Sequence, residues 1–394
     1  MENLPIVHVI NGRQKKLLQG HPWVYGNEIE RVEGEIEDGG LVTVVDFRGR
    51  YMGTGFYNSK SLITVRLLTH RQEEITDALI AARVKAACDY RRFVMSRPGT
   101  DSCRLIYGEA DRLPGVIADR FGGVIVLQVL ALGMERFTRV IADALLACEK
   151  PDCLLLQNDD AIRRKEGMEC FTRVLYGTLP EENIIHENGV KLAVDVLGGQ
   201  KTGYFLDQKD NHLFVRQFCR DARVLDCFSY IGAFALNAAA AGAKEVTAVD
   251  ISEAAVQLIE KNAALNGADV TAVCANCFDY LRAQVKAGEK YDVVVLDPPA
   301  FTKAHANMAG ACRGYKEIAL SAMRLLPAGG VLATHSCSYH MPEEVFVNTV
   351  LSAAQDLHRQ VRIITLRRQD IDHPVLAGYP ESHYLKSLWL QMLD

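Results

Sequence analysis

Several features that would place a chain in a large class are missing here. No apolar stretch in the 394 residues approaches the roughly 20 residues needed to span a bilayer. The N-terminus, MENLPIVHVINGRQKK, lacks the basic-then-apolar order of a signal peptide. A cytoplasmic protein without a membrane partner is therefore expected. A surplus of positive charge is also absent: 44 Lys and Arg face 49 Asp and Glu, a net charge of −5. Such a balance does not advertise nucleic-acid binding, which would have to rest on local basic clusters. The eleven cysteines are scattered and odd in number, unlike a disulfide framework. Cys274 and Cys277 form the one C-x-x-C pair, and no second pair or histidine cluster follows at ligand spacing, so no metal is expected. The fingerprint G-x-G-x-x-G is missing too, which argues against a nicotinamide enzyme.

Hydrophobic residues at 49% and charged residues at 24% describe a globular chain too long for one ordinary core. Three regions separate by pattern. Residues 1–70 hold short apolar stretches (LVTVVDF, YMGTGFY, LITVRLL) between glycine-rich and polar turns, a small β-rich domain. Its segment GRQKKLLQGHPWVY sets Arg13, Lys15 and Lys16 beside Trp23 and Tyr25. Those groups suit phosphate contact with base stacking, or the aromatics pack inside and the charges are solvated. Residues 71–185 read as an α+β domain. A helix over EEITDALIAARVKAACDYRRFVMS opens it, and two strands follow around a loop bounded by Gly108, Pro114 and Gly122-Gly123. The cluster Arg163, Arg164 and Lys165 reads as a solvated loop.

From residue 186 to 394 strand and helix alternate. RVLDCF, EVTAVD, VTAVCA, YDVVVLD and GGVLATHS are near-continuous apolar runs, the mark of a doubly wound parallel α/β sheet. VRIITLR and YLKSLWLQML supply two edge strands. Ligands of such sheets sit at the carboxyl ends of the strands. The first strand leads into VLDCFSYIGAFA, whose turn holds Gly232 alone, enough for a nucleoside lacking a pyrophosphate. Asp250 ends the second strand, where a carboxylate can accept both ribose hydroxyls. Asp279, after the third, is placed for an adenine amino group. Asp226, on the first, lies near the expected amino acid moiety. Singly, each aspartate reads as a cap or turn residue; three at the ends of consecutive strands read as one site.

The fourth strand ends in Asp297-Pro298-Pro299. Two prolines stiffen the turn, and the aspartate can orient a planar base. The fifth ends GVLATHSCSYHMPEE, bringing Cys337 to the same crevice. Cys312, in GACRGYKEI, is the rival thiol, with Arg313 and Lys316 beside it as phosphate contacts or solvated charges.

This half of the chain resembles the class I, Rossmann-like S-adenosylmethionine-dependent methyltransferases. The resemblance makes S-adenosylmethionine the cofactor, with Phe228, Ile251 and Pro298 among its contacts. KTGYFLDQKDN looks like a cofactor-contact motif of a ribosomal RNA subset, implying Phe205, Asp207 and Gln208. Ser336, Cys337, Ser338, Pro342, Glu343 and Glu344 resemble the nucleophile motif of RNA cytosine-5 methyltransferases. With HPWVY, RLIYGEADRLPG, DPPAF and GACRGYK, the likeness spans the chain and extends to the bacterial large-subunit (23S) ribosomal RNA cytosine-5 enzymes, which carry an N-terminal PUA domain. It implies ribosomal RNA as partner, admits a homodimer, and makes Cys337 the nucleophile and Asp297 the base-binding carboxylate. Thiolate addition to carbon 6 makes carbon 5 of cytosine nucleophilic, and the base must be unstacked to reach the site. Many such enzymes carry a second cysteine after the fourth-strand proline; Pro299 and Ala300 stand there instead, implying a single-cysteine variant. The alternatives are an exocyclic-amine RNA methyltransferase, which needs no cysteine, and a non-catalytic RNA-binding assembly factor.

Overall fold

The computed structural model describes residues 4–95, 98–301 and 307–394. Seven short elements build the first domain: β1 (Ile6–Val9), α1 (Gln14–Leu18), β2 (Trp23–Val24), β3 (Ile29–Glu33), β4 (Leu41–Val45), β5 (Tyr51–Tyr57) and β6 (Val65–Thr69). They form a six-stranded sheet in the order β2-β6-β5-β4-β1-β3. Alternation buries Val42 and Val44 against Val7, Val9, Val24 and Leu67. Gly55 on β5 lies so near β6 that a Cβ would fall 2.1 Å from the Arg66 carbonyl oxygen, an approach open only to glycine.

The second domain contains α2 (Asp77–Val94), β7 (Ser102–Tyr107), β8 (Val116–Phe121), β9 (Val124–Val129), α3 (Thr138–Glu149), β10 (Cys153–Asn158), α4 (Ala161–Lys165) and β11 (Phe171–Gly177). Thr76 caps α2 by accepting from the Leu79 amide, which fixes the helix start. Its sheet runs β11-β10-β9-β8-β7. The stretch expected to give two strands gives three, because Gly122-Gly123 turns β8 back onto β9 as a tight hairpin. The basic cluster is not a solvated loop either. It forms α4, and Arg163 is fully buried, donating to the Glu169 carbonyl and pairing with Glu135; a guanidinium so surrounded tolerates burial.

A hairpin, β12 (Ile184–Glu187) and β13 (Val190–Ala193), leads through α5 (Lys209–Val215) into the third domain. There β14 (Arg223–Cys227), α6 (Ala233–Ala240), β15 (Glu245–Asp250), α7 (Glu253–Asn266), β16 (Thr271–Cys274), α8 (Cys277–Ala287), β17 (Val293–Leu296), α9 (Met308–Leu325), β18 (Val331–Ser336), α10 (Glu343–Asp356), β19 (Val361–Arg367) and β20 (Lys386–Met392) follow. The seven-stranded sheet has the order β16-β15-β14-β17-β18-β20-β19. Every residue of β17 and β18 is buried, as helices on both faces require. Strand order reverses between β14 and β17, which opens the crevice. The two C-terminal runs are not both edges: β20 inserts antiparallel between β18 and β19.

The link from β19 to β20 fastens the domains together. Arg91 donates to the Asp372 carbonyl at 2.9 Å, and Tyr107 to that of Ser382 at 3.2 Å. Lys209, fully buried, pairs with Asp372. Trp23 reaches across from the first domain, donating through Nε1 to Glu109 at 2.8 Å, and its ring lies 4.8 Å from that of Tyr379. Among the described residues no helix is long and apolar enough to cross a membrane.

Candidate active site

A cavity of about 340 Å³ opens at the carboxyl ends of the parallel strands, within the size range of small-molecule sites. The turn after β14 forms one wall. Phe228 (φ 63°) and Tyr230 (φ 52°) both occupy the left-handed region, and Gly232 (φ 88°) completes the turn. Strain of that kind persists only where surroundings impose it, and here two aspartates do so. The Asp226 carboxylate, fully buried, accepts from Ser229 Oγ at 2.5 Å and the Ala235 amide at 3.1 Å. Asp250 accepts from the Tyr230 amide at 3.0 Å and the Ser252 amide at 2.9 Å.

Asp226 and Gly232 thus shape the turn from behind, while Phe228, Tyr230, Asp250 and Ile251 line the cavity. Burial pushes the Asp226 carboxyl up to about 7, with the Asp297 charge adding to it. Its Oδ1 is buried with no hydrogen-bond partner among the described residues. Asp279 departs from expectation. The helix α8 begins at Cys277, so Asp279 sits on its outward first turn, 71% exposed and paired with Arg282. Asn276, which caps α8 through the Phe278 amide, takes the position on the cavity, with Phe278 beside it.

Phe205, Asp207 and Gln208 line the opposite wall. Burial alone would raise Asp207, but the Lys201 ammonium at 2.9 Å, with His373 and the Tyr384 hydroxyl, holds its carboxyl well below the usual range. Its Oδ1 also lacks a partner among the described residues. Gln208 donates through Nε2 to Asp297 Oδ2 at 3.1 Å, and its own carbonyl accepts from Asn211 at 2.6 Å. Pro298 and Phe301 continue the surface. Burial raises the Asp297 carboxyl to about 7, opposed by His212.

Cys337 faces the same space. The hydroxyls of Ser336 and Ser338 on either side both meet the Tyr315 hydroxyl, at 2.8 and 3.0 Å, which fixes the turn between them. Burial, followed by the Asp297 charge, pushes the Cys337 thiol up to about 11. Cys312 does not line the cavity; it packs from α9 against the apolar core. Cys277 does line it, but its sulfur accepts from the Phe228 amide at 3.2 Å and serves the wall.

The sequence reading missed His212. The imidazole lines the cavity, and its Nδ1 meets Glu187 of β12 at 2.6 Å. Only the fold brings a hairpin carboxylate to a helix histidine, so spacing carried no signal. The RNA candidates are dispersed. Arg13 and Lys15 are exposed on the first domain, and Arg313 on α9. Lys16 pairs with Glu28 at 2.7 Å, and Lys316 with Asp356 at 2.8 Å. Trp23 follows the packing alternative, wedged between domains rather than free to stack.

The residues suit a nucleoside with an amino acid tail. Asp250 keeps lone pairs for two hydroxyls, the orphaned oxygen of Asp207 suits an ammonium, and Ile251 with Phe278 offers an apolar slot for a flat base. Asp250→Ala is expected to weaken S-adenosylmethionine binding by about 1–3 kcal/mol, read as the dissociation constant by calorimetry. An unchanged constant would remove Asp250 from the ribose site.

Comparison with known proteins agrees with this geometry. Residues 7–70 match a PUA-like domain model, and residues 126–369, more than half the chain, match the model of an S-adenosylmethionine-dependent methyltransferase. The chain is 43% identical over 388 residues to ribosomal RNA large subunit methyltransferase I of Klebsiella pneumoniae strain 342, covering 97% of each. It is 41% identical over 390 residues to the Salmonella arizonae protein of that name, covering 98% of this chain and 96% of the relative. A Streptococcus mutans structure described as a SAM-dependent methyltransferase superposes with a TM-score of 0.84 at 20% identity, over 98% of this chain and 99% of that one. The fold, the acceptor-lined cavity and these matches converge: the chain belongs to the S-adenosylmethionine-dependent methyltransferases, in the family of the ribosomal RNA large subunit methyltransferase I proteins.

Proposed function

We propose that this protein methylates carbon 5 of a cytosine in large-subunit (23S) ribosomal RNA through a covalent Cys337 adduct. The RNA class follows the name of relatives matched over 97% of the chain. One observation carries the cytosine-5 reading: Cys337 and Asp297 line one cavity from the ends of neighbouring parallel strands.

S-adenosylmethionine supplies an electrophilic methyl group when bound. Phe205, Asp207, Asp250 and Ile251, which line the cavity with Cys337, would hold it. Asp297, steadied by Gln208, binds the cytosine edge; in its protonated form it donates to nitrogen 3 as Cys337 sulfur adds to carbon 6. The charge that would otherwise build on the ring is thereby neutralised, and carbon 5 acquires the electron density to accept a methyl. Loss of the carbon 5 proton then re-forms the ring double bond and expels the sulfur. With Pro299 and Ala300 where a second cysteine stands in many such enzymes, water or a cavity side chain takes that proton.

The second reading, methylation of an exocyclic amine, is favoured only by Phe301 lying on the cavity after Asp-Pro-Pro. Incubation with labelled S-adenosylmethionine and unmodified ribosomal RNA, then mass spectrometry of the nucleosides, separates the two. Labelled 5-methylcytidine is expected. A methylated exocyclic amine would overturn the covalent mechanism.

A further inference from the structure

The strand register sets a cation beside the nucleophile. Ser336 on β18 is the cross-strand partner of Lys386 on β20. Lys386 is only 3% exposed, and its Nζ donates to the Ser338 carbonyl at 2.7 Å. The side chain therefore runs from opposite residue 336 to residue 338, alongside the cysteine between them. An ammonium has three protons to give, and that bond uses one. Among the described residues no carboxylate forms an ion pair with Lys386, although burying a lone ammonium is costly.

We propose that Lys386 is a positioning residue that stabilises the Cys337 thiolate, both before the sulfur adds to the base and as it is expelled. The inference rests on Cys337 being the nucleophile. The thiol first loses its proton to solvent. The sulfur lone pair then forms the bond to carbon 6. On release, the C5–H pair re-forms the ring double bond while the S–C6 pair returns to sulfur beside the ammonium. Burial lowers Lys386 to about 8, opposed by the charges of Cys337 and Glu343. An ammonium and a thiolate favour each other's charge, and Lys201 is a second cation that draws the thiol down. The other groups facing this pair are Asp297, Asp207 and Lys201 around the sulfur, Tyr315 behind it, and His383, 3.9 Å from Glu343.

The test is peptide-resolved alkylation of Cys337 by iodoacetamide across pH about 6 to about 10, comparing wild type with Lys386→Gln, which keeps a donor for the Ser338 carbonyl. Removing the charge is expected to slow alkylation about 10-fold near neutrality. The wild-type profile should bend near pH 8, where Lys386 loses its proton, and the variant profile should rise without a bend. Superimposable profiles would overturn the proposal, whatever happens to melting temperature. If Lys386→Gln does not fold, Lys386→Arg serves, since it keeps a cation that does not titrate; a near-wild-type rate without the bend is expected, and a profile retaining the bend would overturn the assignment. Methyl transfer retained by Cys337→Ala would instead overturn the nucleophile reading and leave the alkylation result standing.

Discussion

Cys337→Ala is expected to lose methyl transfer by roughly 10⁴-fold or more while S-adenosylmethionine binds as before. The reason lies in the proposed reaction: carbon 5 of cytosine is too electron-poor to take a methyl until a nucleophile has added to carbon 6. The substitution removes one sulfur atom from a cavity wall and leaves the cavity residues Phe205, Asp250 and Ile251 untouched. Single-turnover assays with labelled cofactor measure the first quantity, and calorimetry the second. Cys312→Ala is the control. That thiol packs against the core from α9, so its variant should turn over. Activity surviving in Cys337→Ala and vanishing in Cys312→Ala would exchange the two roles.

Asp297→Asn should reduce turnover by about 10²- to 10⁴-fold, the usual contribution of a positioned acid or base, and should also change stability in a direction fixed by pH. The folded protein holds this carboxyl at about 7, against an ordinary value of 3.8. Between those values the folded state binds more protons than the unfolded chain, so wild type loses stability as pH rises. Above about 7 the deficit is complete and constant. Asparagine does not titrate and still offers an oxygen to Gln208. The variant should therefore melt higher than wild type at pH 8, and its advantage should shrink as pH falls through that window. Melting curves at the two ends check the sign. A variant that is less stable at pH 8 would mean that Asp297 is held as a carboxylate by partners that favour its charge.

Much of this was readable before any coordinates. The alternation of apolar runs with helices predicts the parallel sheet, because strands buried on both faces must be apolar throughout, as in VVVL of β17. That Asp250, Asp297 and Cys337 come to one cavity was legible for a related reason: strand ends are the places where such a sheet presents side chains to a crevice; Asp226, read there too, lies behind the turn. Asp279 failed because the start of a helix rotates each residue by about 100°, and the α8 boundary at Cys277 turned Asp279 outward and Asn276 inward. His212 and Lys386 left no local trace. One depends on a hairpin carboxylate 25 residues away in sequence, the other on the register of an antiparallel strand. The burial of Arg163 was hidden for the same reason, since its partners come from the β9 end, Glu135 and Glu169.

The insertion of β20 between β18 and β19 has a consequence for biosynthesis. As the chain leaves the ribosome, β18 and β19 emerge with no direct ladder between them, and the gap closes only when residues 386–392 arrive. Until then two strand edges lie open to stray pairing, and the cysteine turn lacks both the lysine opposite it and Leu385 on the cavity wall. A chain in which that strand is not yet paired would have most of the cavity wall but an unsupported turn at Cys337, so the last strand to dock is the one that completes the site.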